Sequence, residues 1–208
     1  MTRVVVVTGT GTEVGKTWIG AALLRALRDR GEVVAARKPV QSFEPGTGPT
    51  DAEVLAEATG QAPEEVCPAA RSYELAMAPP VAARELGRPV PLLAELVREI
   101  RWPAGTTTGL VEGVGGPRSP LAGDGDTVDL AAAVGPAAVV LVADAGLGTI
   151  SAVRLCLPTL ARWPTTVVLN RFDPGSRLHA TNRAWLEDDG VDPVVEVDQL
   201  AEQVLSAR

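Results

Sequence analysis

The chain has 208 residues, of which 46% are apolar and 22% charged, and a net charge of −7. Those values fit one compact globular domain over residues 1–208. The acidic balance argues against a nucleic-acid backbone as main partner, which would need a basic stripe. No apolar run reaches the ~20 residues that span a bilayer, and the expected location is the cytoplasm.

In chain order, residues 3–8 (Arg-Val-Val-Val-Val-Thr) read as a strand buried on both faces. A glycine-rich stretch follows, and residues 16–30 then form an amphipathic helix through Ile19, Leu23, Leu24 and Leu27, stopped by Gly31. Val33 to Val40 is a second strand. Thr50 is placed to cap a helix over 51–59 that Gly60 closes. Residues 63–91, rich in Pro and Ala, suggest short helices and loops, and 92–101 another helix. Strands are expected at 109–112, 138–143, 165–169 and within 191–197. Helices are expected at 128–134, 149–162 and 176–188, with a last one opening at Asp198.

This alternation predicts an α/β fold of three layers, a mostly parallel sheet with helices on both faces. Ligands of such sheets bind beyond the carboxyl ends of the strands. The chemistry-bearing residues fall there: the glycine loop, Lys38, Glu112, Gly146-Leu147-Gly148 and Asn170 each follow a predicted strand.

The loop Gly9-Thr-Gly-Thr-Glu-Val-Gly-Lys-Thr17 is a P-loop. Its glycines let backbone N–H groups turn toward phosphates, Lys16 neutralises them, and the Thr17 hydroxyl belongs on Mg²⁺. Five residues separate Gly9 and Gly15, where the common pattern has four. Arginine outnumbers lysine 17 to 2, and the two lysines are Lys16 and Lys38. An ammonium and a guanidinium are not interchangeable, so the pair reads as functional, with chance as the alternative. Asp51 fits a first-turn acid favoured by the helix dipole as well as a functional one. Glu112, at a strand tip before Gly113-Val114-Gly115-Gly116, sits where P-loop enzymes place an acid directed at Mg²⁺. Asp126 or Thr127 caps the next helix, His179 reads as a surface residue, and Cys67 and Cys156 as buried small hydrophobes. The tryptophans at 18, 102, 163 and 185 are most simply packing residues.

With these segments in order, the chain resembles the dethiobiotin synthetases from about residue 2 to 180. The P-loop with its extra residue, Arg37-Lys38-Pro39-Val40-Gln41-Ser42, Thr50-Asp51-Ala52, Val111-Glu112-Gly-Val-Gly-Gly116, Ala145-Gly-Leu-Gly-Thr-Ile150 and Val168-Leu169-Asn170 carry the likeness. The resemblance implies an ATP- and Mg²⁺-dependent ligase of biotin synthesis that closes a ureido ring on 7,8-diaminononanoate with CO₂, working as a homodimer. It implies Lys16 and Lys38 as catalytic residues and Thr17, Asp51 and Glu112 as Mg²⁺ ligands. Nucleotide would lie along Glu13, Val14, Gly15, Lys16, Thr17 and Trp18, with Asp51, Glu112, Gly113, Val114, Gly115, Asn170 and Arg171. Substrate would meet Thr12, Lys38, Ser42, Gly148, Thr149, Ile150 and Ser151. The family usually continues Leu-Gly-Thr-Ile with Asn-His, whereas Ser151-Ala152 stand here. Other readings are a different small P-loop ligase or a partner-regulated P-loop switch. The switch enzymes carry an extra lysine early in the loop, which this loop lacks.

Overall fold

Consecutive valines can be buried on both sides only inside a sheet covered by two layers, and that is where they lie. The computed structural model describes residues 2–207. In chain order its elements are β1 (Arg3–Gly9), α1 (Lys16–Asp29), β2 (Val34–Arg37), β3 (Gln41–Ser42), α2 (Asp51–Thr59), α3 (Pro63–Val66), β4 (Ser72–Tyr73), α4 (Pro79–Glu85) and α5 (Leu93–Glu99). There follow β5 (Thr108–Glu112), β6 (Pro120–Ala122), β7 (Gly125–Asp126), α6 (Thr127–Val134), β8 (Ala138–Asp144), α7 (Thr149–Leu160), β9 (Thr165–Asn170), α8 (Arg177–Asp188) and α9 (Val197–Ser206).

Five strands form the central sheet in the order β2-β5-β1-β8-β9, every neighbouring pair parallel. Side chains alternate across it. Val5 and Val7 join one core with Leu23, Leu24 and Leu27 of α1, Leu55 of α2 and Leu200 of α9. Val6 joins the other with Leu96 of α5, Leu130 of α6, Leu160 of α7 and Leu186 of α8. Full burial of one such side chain is worth about 1.5–3 kcal/mol. Because the strands are parallel, their carboxyl ends all open on one edge, which carries the P-loop, Lys38, Glu112, Asp144 and Asn170.

Local signals set the helix ends. The Glu53 N–H donates to Thr50 Oγ1 at 3.3 Å and the Thr50 N–H to Glu53 Oε2 at 2.7 Å. That reciprocal pair starts α2, and Gly60 in the left-handed region ends it. Asp126, rather than Thr127, caps α6, accepting from the Val128 and Asp129 N–H groups.

The structure differs from the sequence expectation in four places, one of them the short parallel pair of β3 and β4, which no expected strand covered. The strand expected over Val33 to Val40 stops at Arg37, because Pro39 has no N–H to continue a ladder and the Lys38 N–H instead donates to the Val66 carbonyl. Residues 191–197 supply a single bridge, Val194 to Val168, before α9 begins. The hairpin of β6 and β7 was not expected, since two or three residues are too few for a periodic pattern. Among the described residues, no helix is long and apolar enough to cross a membrane.

Candidate active site

The end of β1 feeds the P-loop over the sheet edge, and the end of β9 holds it there. Gly15 sits at φ 91°, and a Cβ on it would lie 2.0 Å from Asn170 Nδ2. That close approach exists because Asn170 Nδ2 donates to the Val14 carbonyl at 2.9 Å. Next to it, Arg171 donates through Nη2 to the Glu13 carbonyl (2.9 Å) and through Nη1 to Asp144 Oδ2 (2.8 Å). Glu13 and Arg171 are the two non-glycine residues with positive φ, at 59° and 56°, among the described residues. Such backbone costs about 1–3 kcal/mol per residue and persists where its surroundings hold it. The Asp144–Arg171–Glu13 tether supplies that hold. The N–H groups from Gly11 to Gly15 have no backbone partner among the described residues, which leaves a run of donors for phosphate oxygens. Lys16 Nζ donates to the Gly11 carbonyl at 2.9 Å and spans the loop from inside.

Beside the loop lies a buried ion cluster. Lys38, 2% exposed, follows β2. Its Nζ lies 2.5 Å from Glu112 Oε1, 2.7 Å from Asp51 Oδ2 and 2.9 Å from the Gly113 carbonyl. Three acceptors match the three protons of an ammonium. Burial alone pushes the Lys38 ammonium down, but Asp51 and Glu112 outweigh it and hold it above its ordinary value. Burial also opposes the Asp51 charge, and Lys38 and the Thr17 hydroxyl reverse that, bringing its carboxyl down to about 2. Glu112, fully buried, is pushed up by burial while Lys38 pulls against it. Lys16 is lowered by burial and by the neighbouring Lys38 charge, with both carboxylates opposing.

The same carboxylates converge on Thr17. Its Oγ1 lies 2.6 Å from Asp51 Oδ1 and 3.0 Å from Glu112 Oε1. One hydroxyl proton can serve only one of them. Glu112 Oε2 is buried without a hydrogen-bond partner. Two carboxylates and a hydroxyl form an all-oxygen donor set with unspent acceptor capacity, which suits a hard cation such as Mg²⁺. Two ammonium groups face two carboxylates, so the cluster has no surplus positive charge to set against a triphosphate.

The remaining expected residues divide. Thr12 is exposed on the P-loop, and Ser42 donates to the Met77 carbonyl at 2.5 Å. Gly115 packs on Ser119 beside Thr12, and Gly113 on Thr127, which leaves no room for side chains there. Val114 is partly buried in the same turn. Gly148, Thr149, Ile150 and Ser151 form the start of α7. No hydrogen bond joins that turn to the P-loop or Lys38 among the described residues. Thr149 is buried with its hydroxyl unpartnered, and Ser151 is exposed.

The packing reading fails for two tryptophans: Trp18 is 61% and Trp185 53% exposed. Trp102 and Trp163 do pack against the core. Cys67 is buried and Cys156 only half-buried. His179 is also half-buried and accepts from the Asp173 N–H at Nδ1. The sequence reading missed Asp144 and the Gly113 carbonyl. A strand-end acid was visible in the first case, but a backbone carbonyl gives no residue-type signal.

A cavity of about 610 Å³ opens from Gly15, lined at the start of α1, at the end of β9 and by Val195–Asp198. A second, of about 540 Å³, lies between α2, α3 and β4.

Comparison with known proteins bears on the family and the fold. A family model described as an AAA domain matches residues 3–199. The ATP-dependent dethiobiotin synthetase BioD of Anaeromyxobacter dehalogenans (strain 2CP-C) is 41% identical over 174 residues, 81% of this chain and 76% of that protein. The enzyme of the same name from Mycobacterium marinum (strain ATCC BAA-535 / M) is 43% identical over 162 residues, 76% of this chain and 69% of that one. Among solved structures, a putative plasmid partition protein from Borrelia burgdorferi B31, bound to AMPPNP, superposes with a TM-score of 0.56. It covers 99% of this chain and 97% of its own at 13% identity, a likeness of fold alone.

Proposed function

We infer how the work is divided in this site from one premise: the chain belongs to the family of ATP-dependent dethiobiotin synthetases. Its activity is the ATP-dependent closure of the ureido ring of dethiobiotin, in biotin synthesis. The substrates are 7,8-diaminononanoate and CO₂. One amine adds to CO₂ as a carbamate. A carbamate oxygen attacks the γ-phosphorus and ADP leaves, giving a carbamic–phosphoric anhydride. The second amine attacks the carbonyl carbon, phosphate departs with the bonding pair, and the ring closes with loss of the amine proton.

Such chemistry needs positioned positive charge more than covalent help. Lys16 and the free N–H groups of Gly11 to Gly15 hold the phosphates. Lys38 would reach the carbamate and the γ-phosphate once Asp51 and Glu112 turn to Mg²⁺, and Thr12 would donate to the substrate, joined by Ser42 once its hydroxyl leaves the Met77 carbonyl. Thr17, Asp51 and Glu112 hold Mg²⁺, which neutralises phosphate charge when bound. Gly113, Val114 and Gly115 offer backbone close to the nucleotide, Asn170 reads the base edge through Oδ1, and Arg171 keeps the P-loop in register. The observation that carries this assignment is the burial of Lys38 between Asp51 and Glu112, beside Thr17. A lysine sealed at a strand end, in a chain whose basic residues are otherwise arginine apart from the P-loop Lys16, is poorly explained by stability alone.

Among the described residues no hydrogen bond joins the turn Gly148-Thr149-Ile150-Ser151 to the P-loop or Lys38, and Leu147 just before α7 and Leu155 on it are 91% and 73% exposed. Both features support a homodimer in which that turn meets the substrate bound to the other copy. ADP release by the purified protein should depend on the diamine and on Mg²⁺ together. Release at an equal rate without diamine, or with Mg²⁺ chelated, would contradict the assignment.

A further inference from the structure

The core face of α1 is formed by Ile19, Leu23, Leu24 and Leu27. Trp18 lies off that face and leaves an indole 61% exposed. A buried indole brings about 150–250 Å² of contact area, so a tryptophan left in water adds little to the fold. Its surroundings suggest another use. Trp18 lines the cavity of about 610 Å³ that opens from Gly15, together with Asn170 and Phe172 after β9 and Val195 and Val197 at the start of α9. That volume is typical of small-molecule sites. The cavity begins where the P-loop ends, so a nucleotide with its phosphates along Gly11 to Lys16 has its base there.

We propose that Trp18 is the stacking platform for the nucleotide base, in a cavity that Val195 and Val197 also line, with Glu196 and Asp198 beside them. The proposal rests on the ATP site assigned above and gives its base end a specific residue. Stacking on an aromatic ring is tolerant of base identity, because every base has a π-face. Trp18 therefore supplies affinity, and discrimination falls to Asn170, whose Nδ2 is committed to the Val14 carbonyl and whose Oδ1 is left to accept from an amino group.

The test compares ATP with tripolyphosphate, which has the phosphates and no base, by calorimetry with Mg²⁺ and without diamine. Trp18→Ala should weaken ATP binding about 10- to 100-fold and leave tripolyphosphate binding within about twofold, with Trp18→Phe recovering most of the loss. In the wild type, ATP but not tripolyphosphate should change the indole fluorescence, and Trp18→Ala should abolish that change. An unchanged ATP affinity in Trp18→Ala, or an equal loss for both ligands, would overturn the platform. A wild-type protein that binds neither ligand would instead sink the ATP site on which the platform rests.

Discussion

Lys38→Arg should lower turnover about 10²- to 10³-fold, the usual cost of one misplaced donor at a site of developing charge, while ATP binding stays near wild type. The substitution keeps the charge and changes its shape. The Lys38 ammonium is enclosed by three acceptors at 2.5–2.9 Å, a geometry matched to three protons on one nitrogen. A guanidinium spreads its charge over a planar fork that cannot occupy that point without displacing Asp51 or Glu112. Rapid-quench measurement of the first turnover, beside calorimetric ATP binding, separates the chemical step from binding. Turnover near the wild-type level would mean that the lysine is there for its charge alone. If Lys38→Arg does not fold, Lys38→Gln, which is smaller and neutral, tests the same position.

Glu112→Gln should remove both metal-dependent catalysis and part of the stability. Glu112 is fully buried, serves Lys38 and Thr17 through Oε1, and holds Oε2 without a partner. The amide keeps the shape and loses the charge. Breaking one half of a buried ion pair costs about 3–5 kcal/mol, and the remaining hold of Asp51 and the Gly113 carbonyl puts the expected loss at the lower end. In a chain of this size that is a fall in Tm of about 6–12 °C. The activity that remains should no longer respond to Mg²⁺, whereas the wild type should saturate. A variant with wild-type Mg²⁺ dependence would remove Glu112 from the metal site, whatever happened to its Tm.

Much of the fold was legible because its signals are local and strong. The valine run of β1, the Thr50–Glu53 capping box and Gly60 each fix an element by a mechanism that acts within a few residues. The misreadings have equally local causes. Pro39 cuts the second strand short, Val194 makes one bridge in place of a strand, and the β6–β7 hairpin is too brief to show a period. The site was legible as residue types at strand ends: Lys16, Lys38, Glu112 and Asn170 all lie on the expected edge. Its three-dimensional connections were not. The third acceptor of Lys38 is a backbone carbonyl, and the Asp144–Arg171–Glu13 tether joins segments 158 residues apart. From the residues alone Trp18 looked like a packing residue because it adjoins Ile19 in an amphipathic helix, while the resemblance set it along the nucleotide; its position around the helix axis leaves it exposed. The turn at the start of α7 did follow its strand, as expected, but among the described residues no hydrogen bond joins it to the lysine cluster.

The fold likeness to a plasmid partition protein makes the ligase chemistry the point to test, since P-loop folds also serve as switches. The most direct measurement is mass spectrometry of the product formed from 7,8-diaminononanoate, ATP, Mg²⁺ and ¹³C-bicarbonate. The expected result is dethiobiotin carrying the label at its ureido carbon, with one phosphate released for each ring closed. Folded protein that forms no labelled ureido product, and hydrolyses ATP only when a macromolecular partner is added, would contradict the assignment.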